Sequence, residues 1–78
     1  MNEYGITLDK MIIKGNIWDL YLSKAGRKTM VQVNYQRSYF DLVNADKFDA
    51  ALQDLMGCLV PMAMKPKLRL SIIYFVEK

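Results

Sequence analysis

Between Asn44 and Leu59 the apolar residues Phe48, Ala51, Leu52, Leu55, Met56 and Leu59 recur at i, i+3, i+4, i+7, i+8 and i+11. That is a single stripe at the period of an α-helix, and it needs an apolar surface to lie on. Asp46, Lys47, Asp49, Gln53 and Asp54 fill the remaining face. Asn44 suits the N-cap, because its side-chain oxygen can accept an otherwise unpaired backbone N–H. Asp46 falls in the first turn, where the helix dipole favours negative charge. The residue before a proline avoids helical geometry, so Val60-Pro61 predicts an end near Cys58–Leu59. The expected helix therefore covers residues 45–59.

The surface it covers is legible upstream as period-two alternation, the mark of strands with one wet face. Residues 17–24 place Trp18, Leu20 and Leu22 on one side and Asp19, Tyr21 and Ser23 on the other. Residues 29–36 oppose Val31, Val33 and Tyr35 to Met30, Gln32, Asn34 and Gln36, and residues 39–43 turn Phe40 and Leu42 inward. Residues 6–14 form an apolar run broken at Asp9-Lys10, which predicts a bent or bulged strand. Gly15-Asn16 reads as a tight hairpin turn. Ala25-Gly26-Arg27-Lys28 reads as a looser one, Arg37-Ser38 as a turn or bulge, and Pro61 and Pro66 as brackets of a short connection. The last apolar run, 68–76, alternates Leu68, Leu70, Ile72, Tyr74 and Val76 against Arg69, Ser71, Ile73 and Phe75, and predicts a final strand with apolar residues on both faces. The expected fold is α+β: an antiparallel sheet of four to five strands with one amphipathic helix packed on one face, in the order β-β-β-β-α-β, as one domain over residues 1–78.

Composition narrows the function. Hydrophobic residues make up 53 % and charged residues 24 % of the chain, a globular balance. There is no histidine, which removes imidazole acid–base chemistry, Ser–His and Cys–His nucleophile pairs and histidine-bearing metal sites. The lone Cys58 cannot build a thiolate cluster within one chain and, beside the apolar stripe, reads as a core filler. The four glycines, Gly5, Gly15, Gly26 and Gly57, are too scattered for a phosphate loop. The spacing of Asp41, Asp46, Asp49 and Asp54 matches no calcium loop. No catalytic residue, metal or cofactor is expected, and no enzyme activity. Residues 1–5 show neither a basic start nor an apolar run, and no apolar stretch reaches the roughly 20 residues of a membrane span. With one cysteine, a reducing, cytoplasmic setting is the expectation.

Charge is unevenly placed. Residues 41–54 hold four acids and one base, net −3, and the rest holds ten bases and four acids, net +6. Two surfaces could therefore bind. The first reading is a protein-binding surface made of the acidic helix face (Asp46, Asp49, Asp54), Tyr21, Tyr39 and the spare apolar face of Ile73 and Phe75. Tyrosine brings large contact area at low cost, and an acidic helix can imitate nucleic acid. A chain this small, without catalytic groups, fits an inhibitor or adaptor that occludes a larger protein. A phage or mobile-element product aimed at a host defence nuclease complex, of the anti-CRISPR kind, is the form expected. A second copy could cover the apolar last element, making a homodimer. The alternative is single-stranded nucleic acid held by Lys24, Arg27, Lys28 and Arg37 with Tyr35 stacking on bases. The succession of strands followed by a helix over residues 10–59 resembles the small coactivator-type single-strand-binding modules, and that resemblance implies such a ligand.

Overall fold

A computed structural model of the chain describes residues 4–36 and 39–77, with Tyr39, Phe75, Val76 and Glu77 described by backbone alone. Four strands, β1 (Thr7–Lys14), β2 (Ile17–Lys24), β3 (Arg27–Gln36) and β4 (Tyr39–Leu42), form an antiparallel sheet in the order β1-β2-β3-β4. Helix α1 (Ala45–Met56) follows, then one 3-10 turn at Met62–Met64 that runs into helix α2 (Lys65–Glu77). The α+β class with its four-stranded antiparallel meander agrees with the expectation from the sequence.

The turns explain the register. Gly15 has φ +59°, the positive value that a two-residue hairpin needs at its first central position. At the next hairpin Ala25 (φ +50°) and Gly26 (φ +82°) are both left-handed. That makes a two-residue turn rather than a four-residue loop, and Arg27 and Lys28 belong to β3, paired with Lys24 and Ser23. The break at Asp9-Lys10 is a bulge: the register with β2 shifts between Leu8 and Lys10. Arg37-Ser38, expected as a turn, lies outside the described residues.

Pairing in register puts Met11, Leu20 and Val31 on one face, and Ile13, Trp18, Val33 and Leu42 beside them. The helices lie on this face. The core joins Leu20, Leu22, Val31 and Val33 of the sheet to Phe48, Leu52 and Leu55 of α1 and to Leu68 and Ile72 of α2, with Ile6 and Val60. Asn44 caps α1 as expected, accepting from the Lys47 N–H at 3.1 Å.

The structure corrects three further expectations. The run 68–76 is helix, not strand. Alternating Leu68, Leu70 and Ile72 cannot alone distinguish the two, and on a helix Leu68 and Ile72 fall at i and i+4, one face. Pro66 sits in the first turn, where its missing N–H costs no hydrogen bond. A twelve-residue helix is also too narrow to cover four strands, and α2 supplies the rest of the lid. The order is thus β-β-β-β-α-α. Second, α1 stops at Met56, because Gly57 (φ +73°) takes the left-handed cap and its N–H bonds the Gln53 carbonyl at 3.0 Å. Leu59 is therefore outside the stripe and 81 % exposed, and Cys58 is exposed rather than a core filler. Third, residues 73 and 75 are about 200° apart on a helix, so Ile73 and Phe75 do not share a face. Ile73 is half-buried and the Phe75 side chain lies outside the described residues.

Candidate functional site

The acidic helix face is divided by the fold. Asp49 receives the guanidinium of Arg69 on α2, through Nε at 2.8 Å and through a second, shorter contact from the other nitrogen. The Arg69 hydrogen bonds hold the Asp49 carboxyl below the usual carboxylate range, against the opposing effect of burial. Asp49 thus clamps α2 to α1. Asp46 and Asp54 stay exposed. Tyr21 lies on the opposite side of the sheet, half-buried beneath Lys10, whose ammonium sits 4.6 Å from the ring centre. Tyr39 pairs with Gln36 at the end of β4, and its side chain is outside the described residues. The expected protein-binding residues do not assemble into one surface.

The basic cluster is dispersed too. Lys24 donates to the Tyr4 carbonyl at 2.6 Å. Arg27 lies against the end of α1: a β-carbon at Gly57 would fall 2.7 Å from its guanidinium carbon. A cation there favours the negative end of the helix dipole. Lys28 is on the other face, one register row away. Tyr35 stands seven residues along β3, about 23 Å from Lys28 at the rise of a strand. Tyr35 packs with Trp18 (5.3 Å between ring centres) and Phe40 (4.4 Å), and all three are half-buried. Arg37 lies outside the described residues.

What the fold does assemble is the free edge of the sheet. Strand β1 has β2 on one side and, among the described residues, no strand on the other. Its apolar residues are exposed on both faces: Met11 (38 %) and Ile13 (55 %) beside the core, and Ile12 (37 %) on the face without helices. The sequence holds the sign of this in the apolar triplet at 11–13 between Lys10 and Lys14. What it lacks is the information that the first hairpin arm lies at the edge of the sheet. Next to the triplet, Asp19 of β2 is buried on the helix-free face. It accepts from Gln32 at 2.8 Å and pairs with the Lys14 ammonium at 3.0 Å. The Gln32 hydrogen bond, then that of Lys14, draws the Asp19 carboxyl below its ordinary value, and Asp19 raises Lys14 in return. This clamp ties the end of β1 to the middle of the sheet.

A concavity of ≈ 360 Å³ opens where β4 ends, between Met30 and Gln32 of β3 and Val43 and Lys47. Among the described residues no three of the His, Cys, Asp or Glu side chains gather in a metal-binding group, and no helix is long and apolar enough to cross a membrane. Comparison with protein-family models, curated proteins and solved structures found no match.

Proposed function

We propose that this chain is a non-enzymatic protein-binding module that docks through the edge of β1. The observation that carries this reading is the exposure of Met11, Ile12 and Ile13 on a strand without an outer neighbour among the described residues. An unpaired edge offers backbone donors and acceptors in a row, and soluble proteins usually blunt such edges. Here the edge keeps three apolar side chains, the composition of a contact surface. A chain of this size without histidine acts most simply by occlusion. Its proposed role is that of an inhibitor or adaptor that covers a larger protein, such as a host defence nuclease complex, in the cytoplasm. Small size and the shortage of catalytic groups support that form.

The test is affinity capture from the native host on the immobilised chain, with and without nuclease. A protein that survives nuclease treatment and is lost with Ile13→Lys supports the reading. Recovery of nucleic acid alone would sink it.

A further inference from the structure

Resting on that reading, we propose the kind of segment β1 receives: an extended stretch of a partner protein, apolar at its centre and acidic at both ends, added to the sheet as a fifth strand. The first ground is geometric. Met11 and Ile13 point to the helix side and Ile12 to the other. A body resting on either face would leave part of the triplet wet. A strand lying in the plane of the sheet covers both faces, because its own side chains alternate.

The second ground is charge. Lys10 and Lys14 bracket the triplet, and both side chains stand on the helix-free face, where their β2 partners are Tyr21 and Ile17. Lys14 remains 66 % exposed while bound to Asp19, and an ammonium has two further donors. Carboxylates flanking an apolar centre would meet both lysines. The bulge between Leu8 and Lys10 ends the flat stretch, so the site is residues 10–14.

The same charges disfavour a second copy of this chain. Antiparallel self-pairing about Ile12 matches Met11 with Ile13 but sets Lys10 opposite Lys14 twice, and like charges directly opposite are destabilising. Self-pairing about Met11 sets Ile12 against Lys10 and Ile13 against the bulged Asp9. Any register shifted by one residue exchanges the faces.

The probe is a labelled, end-blocked peptide with a Val-Ile-Val centre between glutamates, and its counterpart with lysines in place of the glutamates. Both are titrated into the intact chain at low salt and followed by anisotropy and amide NMR shifts. The expected result is a preference of at least about tenfold for the acidic peptide, with shifts concentrated at residues 10–14. Lys10→Glu should abolish or invert the preference. Ile13→Lys should abolish binding without changing the urea midpoint. Equal affinity for both peptides, no binding of either, or shifts centred on α1 would overturn the proposal. So would a dimer in light scattering that Ile13→Lys dissociates, which would give the edge to a second copy. If a nuclease-resistant protein partner is lost with Ile13→Lys but the two peptides bind equally or not at all, this inference fails while the edge-docking reading stands. If the wild-type chain captures no protein, both fail.

Discussion

β1 and β2 are each eight residues long, lie side by side and are both rich in apolar residues, yet their environments are opposite. In β2, Leu20, Leu22 and even Asp19 are buried. In β1 every residue but Leu8 is exposed. Composition does not separate them; position does. β2 has a strand on each side and helices above it, whereas β1 has one neighbour among the described residues. Burial of a side chain in a sheet depends on the rows beside it, which is why β-propensity changes meaning between central and edge strands. Apolar groups in β2 hold the fold together, whereas Met11, Ile12 and Ile13 of β1 stay exposed.

The sharpest way to break this comparison is to truncate two residues that face each other. Met11 and Leu20 are register partners on the same face. Leu20→Ala should cost about 2–5 kcal/mol, enough to unfold much of a domain this small, whereas Met11→Ala should cost about 1 kcal/mol or less. Urea unfolding of both variants measures the difference, and equal losses would mean that β1 is covered in solution.

A smaller effect is expected at the turn after β2. Ala25 holds φ +50°, where a β-carbon is crowded. Ala25→Asn creates an Asn-Gly pair, the preferred occupant of such a turn, and should raise stability by about 1 kcal/mol in the same assay.

The clamp between the strands can be read through pH. Asp19 and Asp49 have folded values below those of the unfolded chain, so their contribution is present above the unfolded carboxylate value, about 3.9. It is lost as pH falls from there through the folded values. Lys14 has the opposite sign: its contribution is present below its unfolded value and is lost as pH rises through the raised folded one. Asp19→Asn should therefore flatten both the acid and the alkaline limbs of the urea midpoint against pH, while Asp49→Asn flattens the acid limb alone. The smallest effect is Ile13→Lys, within about 0.5 kcal/mol of wild type by urea unfolding, because a lysine at an exposed edge keeps its head in water.

The features legible in the sequence are those fixed by neighbours in the chain. The cap at Asn44, the hairpin at Gly15, the bulge at Asp9-Lys10 and the alternation of β2 and β3 all follow from local steric and hydrogen-bonding rules. The helix α2 was not legible, because an apolar run with a two-residue rhythm satisfies both periods. What decides it is that Leu68 and Ile72 join the core shared by the sheet and α1, a demand set elsewhere in the fold. The end of α1 differs from the expected one for another reason: Pro61 marks where a helix cannot continue, but Gly57 ends it earlier by donating its N–H to the Gln53 carbonyl. The free edge escaped sequence reading because edge and centre are defined only once the strand order is known. Likewise, nothing in the spacing of Asp49 and Arg69 announces their pairing, and with it the acidic face loses one of its three carboxylates.

The meander has a consequence for the order in which the molecule comes together. Every strand pairs with its neighbour in the chain, so the sheet closes only short loops, and topologies of that kind form quickly. The clamp from Asp49 to Arg69 instead spans twenty residues and depends on α2, which follows the sheet in the chain. A nascent chain can therefore hold a finished sheet before its second helix exists, with the core side still lacking Leu68 and Ile72. The bulge and the two lysines of β1 are features that disfavour edge-to-edge pairing with strands of other copies.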